Sequence, residues 1–191
     1  VSSGGKLFGI VQGQFYKDLR RRAADELRLL DLPGYAVGGL SVGETRSQFL
    51  DFLSYSLELL PDDRPRYVMG IGSPDYAVEA VAAGADMFDC VYPTRVGRNA
   101  RALTQKGPLS LRTVASGDSD DPIDSTCFCQ VCTQFSRGYI RHLFNKHEIM
   151  GPVITTFHNL AFMAKLVDDI RGAVNSGTFS VFRQQFLSSY L

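Results

Sequence analysis

Residues 7–13 read LFGIVQG, an apolar run that ends on an amide side chain and a glycine. The same arrangement recurs in YAVGGL (35–40), RYVMGIG (66–72) and MFDCVYP (87–93). Short runs rich in Val, Ile, Phe and Tyr are expected to form buried strands. The gaps between them carry helical periodicity. In QFYKDLRRRAADELRLLD (14–31) Leu19, Ala23, Leu27 and Leu30 share one face, and RSQFLDFLSYSLELL (46–60) and SPDYAVEAVAAG (73–84) fill the next two gaps. Alternating strands and helices call for a parallel sheet with right-handed crossovers. Each strand also ends in residues suited to a site: Gln12 and Gly13, Gly38 and Gly39, Gly70 and Gly72, then Asp89. A (β/α)8 barrel builds its active site from such strand ends. A doubly wound sheet is the alternative, but no G-x-G-x-x-G fingerprint opens a helix. The expectation is therefore an α/β chain of the TIM-barrel class. Four strands supply half of the eight that a barrel needs, and a chain starting at Val1 suits a carboxyl-terminal half whose first half is absent.

The 191 residues are 45% hydrophobic, with 20 basic and 20 acidic side chains and zero formal net charge. Such a chain can bury a sizeable core and is not disordered. No apolar run reaches the length of a membrane span and the first residues lack the layout of a secretory signal, so a cytoplasmic location with no membrane partner is expected. The neutral total conceals a local imbalance. Between Cys90 and Gly117 lie Arg95, Arg98, Arg101, Lys106 and Arg112 and no acid, which is either a solvated loop or a surface for a polyanion.

After Pro93 the alternation stops, and residues 94–126 read as irregular. Three helical stripes follow: Phe135, Tyr139, Leu143 and Phe144; then Leu160, Met163, Val167, Ile170 and Val174; then Phe179, Phe182, Phe186 and Tyr190. These are expected to be packing faces.

Residues 127–132, CFCQVC, place Cys127, Cys129 and Cys132 in a C-x-C-x-x-C pattern in a chain with four cysteines. Thiols this close are poorly placed to bridge one another, whereas three thiolates and one further ligand make a closed tetrahedral zinc site. The fourth ligand is to be found among Cys90, His142, His147 and His158. Cys90 sits at a strand end beyond the irregular stretch, and His142 and His147 are flanked by Arg141 and Lys146. His158 opens the following helix, where the chain returns past the cysteines, and is the preferred ligand. The expected cofactor is one structural Zn2+ held by Cys127, Cys129, Cys132 and His158.

Asp89 ends an apolar strand and is followed by Pro93, Arg95 and Arg98. A carboxylate in that position is costly unless it is hydrogen-bonded or used. It could cap a helix or pair with Arg95. Alternatively it is a nucleophile, able to displace a leaving group at a sugar carbon and hold that carbon covalently.

FGIVQG (8–13), GYAVGGLSVGE (34–44), RYVMGIGSPD (66–75), DMFDCVYPTRVGRNA (86–100), C-x-C-x-x-C and TTFHNLAF (155–162) occur in this order. Together they resemble the carboxyl-terminal half of a bacterial-type tRNA-guanine transglycosylase, also called queuine tRNA-ribosyltransferase, through nearly the whole chain. The resemblance implies a (β/α)8 barrel with a zinc subdomain, divided here into residues 1–115 and 116–191. It implies exchange of the wobble guanine of tRNAs with GUN anticodons for a 7-deazaguanine base.

Carried over by residue, Asp89 resembles the nucleophile that attacks the ribose anomeric carbon. Gln12 resembles a side chain that reads the purine edge, Gly39 and Leu40 a backbone donor and acceptor of the base pocket, and Met69 a thioether packed on the base. Gly70, Ile71, Gly72, Ser73, Pro74, Asp75 and Tyr76 resemble one tRNA-contacting loop, and Thr94, Arg95, Val96, Gly97 and Arg98 another. Phe135 and Tyr139 resemble positions at a homodimer contact. Val42, in GGLSVGE, suits the smaller base preQ1 rather than queuine, and Glu44 is either a sensor of its aminomethyl group or a plain helix-start acid. The family's second catalytic aspartate and a purine-reading aspartate have no counterpart here, so the chain alone is expected to be inactive. The competing expectations are a non-catalytic tRNA-binding zinc subunit and a zinc-stabilised interaction module unrelated to RNA.

Overall fold

The computed structural model describes residues 4–113 and 119–191. The chain divides into two compact units, Val1–Cys90 and Val91–Leu191. The first unit alternates β1 (Phe8–Val11), α1 (Lys17–Arg28), β2 (Gly34–Val37), α2 (Arg46–Glu58), β3 (Arg66–Val68), α3 (Pro74–Ala82) and β4 (Met87–Phe88). The strands pair in parallel in the order β1-β2-β3-β4. Spatial order following chain order is the arrangement of a barrel wall; a doubly wound sheet would reverse direction at a switch point. The strands are shorter than the apolar runs that announced them: the first three runs continue into turns, and the fourth runs into the helix that begins at Tyr92.

Helix α2 starts at a capping box, in which Thr45 accepts from the Gln48 N–H and the Gln48 side chain accepts from the Thr45 N–H. Two orphan donors are thereby satisfied. Pro74 opens α3, where its missing N–H costs nothing. The helices cover one face of the sheet. Val11, Val37 and Val68 point into this layer and are fully buried with Phe49, Leu53 and Leu57. On the opposite face Ile10 and Met87 remain 42% and 47% exposed. That is the face a closed barrel fills with side-chain layers from its other strands.

Helix α1 packs Ala23 and Leu27 of the expected stripe against the core, but the ends of that stripe lie outside it. Arg20 and Ala24 are its buried residues, whereas Leu19 is 47% exposed and Leu30 lies beyond the helix, 63% exposed. The cause is polar: the Arg20 guanidinium finds carbonyl acceptors inside the unit, as described below.

The second unit begins at Val91, inside the run 87–93 expected to be a strand, whose last residues, Tyr92 and Pro93, are helical instead. Residues 92–98 form α4 (Tyr92–Arg98), and β5 (Arg101–Thr104) pairs antiparallel with β6 (Gly107–Ser110) in a hairpin. TRVGR is therefore helical rather than a loop. Pro93 starts this helix, and Gly97 lets it approach α7 (Met150–Asn175), since a Cβ there would lie 3.0 Å from the Thr156 backbone nitrogen. The hairpin turn is made possible by Gly107, with φ +93°. Next come α5 (Gln130–Gln134), α6 (Arg137–Asn145), α7 and α8 (Phe179–Tyr190). Phe179, Phe182, Phe186 and Tyr190 form a stacked row along α8 with centroids 5.2–6.3 Å apart. The buried face of α7 contains Ile154, His158, Asn159, Phe162, Met163, Leu166 and Ile170. Leu160 and Val174, expected on that face, are instead about half exposed at 49% and 50%; the face is centred on the polar pair His158 and Asn159.

Candidate active site and metal centre

The parallel registers place Val11 beside Val37, Val37 beside Val68, and Val68 beside Phe88. Pairing runs on past the strands through Gly38 N–H to Val11 O at 3.0 Å and Met69 N–H to Val37 O at 3.1 Å. One residue further along each strand, Gln12, Gly38, Met69 and Asp89 therefore form a single row across the carboxyl end of the sheet. Because side chains alternate between faces, this row shares the exposed face with Ile10 and Met87. The Gln12 side chain lies across the two glycines. A Cβ on Gly38 would come within 2.5 Å of Gln12 Nε2, and one on Gly39, which has φ +68°, within 2.7 Å of Oε1. Leu40 is buried and Met69 half-buried.

Asp89 is exposed and oriented. Tyr67 Oη donates to its Oδ1 at 2.6 Å and the Gly70 N–H donates to the same oxygen at 2.9 Å. The Tyr67 hydroxyl first, and the Gly70 amide with it, hold the Asp89 carboxyl below the usual carboxylate range, and the same contact pushes the Tyr67 phenol up. The group is thus an anion at neutral pH, with both donors on one oxygen. Tyr67 was not distinguished by sequence; only its position two residues before Met69, on the same strand face, connects it with the site.

Arg20 sits behind the turns that follow β1 and β2 and is fully buried. Its Nε donates to Gln14 O at 2.6 Å, Nη1 to Ser56 Oγ at 3.2 Å, and Nη2 to Gly38 O at 3.1 Å and Gly39 O at 3.3 Å. Burial lowers its pKa, and the negative charge of Glu44 acts in the opposite direction. Glu44 itself accepts from the Ser41 N–H and, at 2.8 Å, from the Val42 N–H. Desolvation opposes its ionisation, but these backbone donors prevail and lower its pKa. Val42 is 73% exposed.

Of residues 70–76, Gly70 is exposed while Ile71, Gly72, Pro74 and Asp75 are buried. A Cβ on Gly72 would overlap Cys90, 2.0 Å from its Cβ. Ser73 is the N-cap residue of α3. Asp75 is ion-paired with Arg46, which also reaches Glu79 at 3.3 Å, and Tyr76 stacks on Phe49 with centroids 4.3 Å apart. In the second unit, Arg95 and Arg98 are exposed in the last turn of α4, where cations also suit the helix dipole. Thr94 Oγ1 donates to Val91 O at 3.0 Å, and Val96 is half-buried. Phe135 and Tyr139 stack at 5.5 Å, with Tyr139 47% exposed.

The second unit brings Cys127, Cys129, Cys132 and His158 together, with all ligand atoms within 4.8 Å of one another. The three Sγ atoms lie 3.8, 3.5 and 3.3 Å from His158 Nδ1. A single tetrahedral ion with ligand bonds of roughly 2.0–2.3 Å needs separations of about 3.6 Å. His158 Nε2 is 2.8 Å from Leu103 O. The N–H therefore belongs on Nε2, which leaves the Nδ1 lone pair directed at the sulfurs. Burial keeps the imidazole neutral by lowering its pKa and pushes the thiols of Cys127 and Cys132 up. These four residues could hold one metal ion. Cys90 packs against Gly72 in the first unit, and His142 and His147 are exposed.

Two supports of this centre were not apparent from sequence. Asn159 is fully buried; its Oδ1 accepts from Leu103 N–H at 2.8 Å while Nδ2 donates to Pro93 O at 2.9 Å and Arg101 O at 3.0 Å. Asp124 accepts from the Gln105 N–H at 2.9 Å and from the Thr126 N–H and hydroxyl at 2.8 and 2.6 Å. Burial works against its charge, but these donors hold its carboxyl below the usual range.

A barrel-type parallel α/β unit with an ionised aspartate at a strand end, joined to a unit bearing a Cys3His cluster able to hold a metal, defines a narrow class of protein. The family model for queuine tRNA-ribosyltransferase matches residues 2–191, and the chain belongs to that family. It is 51% identical over 184 residues to the queuine tRNA-ribosyltransferase of Pelotomaculum thermopropionicum, covering 96% of this chain and 50% of that protein. The corresponding proteins of Acetivibrio thermocellus and Natranaerobius thermophilus are 49% and 48% identical over 184 residues, each across 96% of this chain and 49% and 50% of their own lengths. The chain thus spans about half the length of the curated relatives it matches. Among the described residues no helix is long and apolar enough to cross a membrane.

Proposed function

We propose that this chain supplies the nucleophile-bearing half of a tRNA-guanine transglycosylase. The observation that carries the proposal is the row Gln12, Gly38, Met69 and Asp89, with Asp89 held ionised by Tyr67 and Gly70. The free oxygen of Asp89 attacks ribose C1′ of the wobble nucleotide, the C1′–N9 bond breaks, and its electron pair leaves with guanine, which takes up a proton. The nitrogen of an incoming 7-deazaguanine base then attacks C1′ and loses its proton, and the aspartyl ester bond breaks with its electrons returning to Asp89. Placing C1′ against a fixed carboxylate makes the step effectively intramolecular. Gln12 presents both a donor and an acceptor to the purine edge, Gly39 and Leu40 present main chain, and Met69 supplies a polarisable surface.

The incoming base is taken to be preQ1, since Val42 leaves less room in the loop than glycine would, with Glu44 beside it. Arg95 and Arg98, and the segments 70–76 and 94–98, are assigned to tRNA contacts, with the target base swung out of its stack. The metal is assigned as one structural Zn2+: three thiolates and one imidazole suit it, and with four protein ligands no coordination position remains for substrate. Phe135 and Tyr139 are assigned to a homodimer contact, and the location to the cytoplasm. The functional division is placed between residues 1–115, in the barrel, and 116–191, in the zinc-binding subdomain and closing helices.

The test joins the amino-terminal half of the Pelotomaculum relative to this chain and measures incorporation of labelled guanine into a tRNA carrying a wobble guanosine. Exchange is expected, with a tRNA–protein ester trapped on denaturation. Asp89→Asn should abolish both while tRNA binding survives. Undiminished exchange by the Asn variant would remove Asp89 from the reaction.

A further inference from the structure

A buried cation is retained where its donors are used, and those of Arg20 are spent on neutral oxygens alone: Gln14 O, Ser56 Oγ, Gly38 O and Gly39 O. These acceptors lie in the turn after β1, on helix α2, and in the turn after β2. Gln14 holds a left-handed backbone with φ +46°, unusual outside glycine, and the donation from Nε fixes its carbonyl. Gly13 packs on the stem of the same arginine, where a Cβ would meet Arg20 Cγ at 3.0 Å.

The peptides on either side of Gly39 are trans, so the C=O and N–H of each point in opposite directions. Holding the Gly38 carbonyl on Arg20 Nη2 turns the Gly39 N–H away from the arginine. Holding the Gly39 carbonyl on the same nitrogen does likewise for the Leu40 N–H. Neither N–H has a hydrogen-bond acceptor among the described residues.

We propose that Arg20 is a positioning residue for recognition of a 6-oxopurine: it sets the peptide planes so that the Gly39 N–H is presented to the exocyclic carbonyl of the base. The inference rests on the transglycosylase reading above and assigns specificity for the oxo group to a residue that never touches the base. Lysine would keep the charge but could not maintain the planar fork that serves two turns and a helix together.

The joined protein described above tests this through kinetics with guanine and inhibition by 2-aminopurine, which lacks the 6-oxygen. Arg20→Lys should raise the KM for guanine about tenfold or more, the worth of one well-placed hydrogen bond, while the inhibition by 2-aminopurine hardly changes. The preference for guanine over 2-aminopurine should therefore shrink. Ser56→Ala removes one acceptor and keeps the arginine, so it should shift the ratio in the same direction by less; if Arg20→Lys does not fold, this variant decides. A purely structural role would lower thermal stability and the fraction of active enzyme but leave the ratio unchanged, and an unchanged ratio overturns the proposal. Absence of guanine exchange by the unsubstituted joined protein would overturn the functional reading, and this inference with it.

Discussion

Tyr67 Oη donates to Asp89 Oδ1 at 2.6 Å, joining β3 to the end of β4. The interaction is made with the charged carboxylate and strengthens when that group is ionised. Its consequences appear in the titration of Asp89.

Tyr67→Phe is expected to raise the Asp89 pKa toward the ordinary value, read by carboxyl carbon NMR, and, on the proposed function, to slow base exchange by the joined protein about tenfold, the loss expected for one hydrogen bond to a charged group at an exposed site. The sign for stability follows from the depressed folded-state pKa. The contribution is present above the unfolded pKa of about 3.9 and is lost as pH falls through the folded value. The stability gap between wild type and variant should therefore close in acid. A gap that is independent of pH would show that the tyrosine acts through packing alone.

Gly38→Ala should displace the Gln12 side chain, because the new methyl would lie 2.5 Å from Nε2. Gln12 is exposed and can swing aside, so thermal stability should change little. On the proposed function, the KM of the joined protein for guanine should rise about tenfold, as for loss of one recognition hydrogen bond, and steady-state kinetics beside a melting curve would separate the two effects.

Asn159→Ala would leave the buried amide of Leu103 and the carbonyls of Pro93 and Arg101 without their partner. Each unsatisfied buried group costs roughly 1–3 kcal/mol, with partial relaxation, so a loss of about 3 kcal/mol is expected in denaturant unfolding. Leu103 also accepts from His158, and weaker metal retention in a chelator competition should accompany the loss.

Removing the metal with a chelator, or introducing His158→Ala, should melt α5 and α6 and expose the core formed by Ile123, Val131, Ile140 and Leu143. A closed structural site contributes its binding energy to folding, on the order of 10 kcal/mol for small zinc modules. Hydrogen exchange should show lost protection in residues 119–145 and retained protection in β1–β4. Uniform protection after complete metal removal would refute a structural role.

The four strands, the helices between them and the metal ligands were legible in the sequence because each is a local signal. An apolar run, a 3.6-residue period, or three cysteines in six residues reports its immediate neighbourhood, and of the candidate fourth ligands it is His158 that lies with the three sulfurs. The segment 94–110 was not legible. Helix α4 and the β5–β6 hairpin are stabilised by Gly97 against Thr156 and by Asn159 bonding three backbone groups, contacts spanning more than 50 positions.

The face of α1 was legible only in part, through Ala23 and Leu27, for the same reason. Hydrophobicity places Leu19 inside, but the acceptors for Arg20 come from three other segments and exist only once those segments have met. The sequence by itself determined the alternation of elements and the cluster of cysteines that His158 joins. Register, the Tyr67–Asp89 pair and the burial of Arg20 were decided by tertiary structure, because a hydrogen bond between distant residues depends on both ends being placed and no local period encodes it.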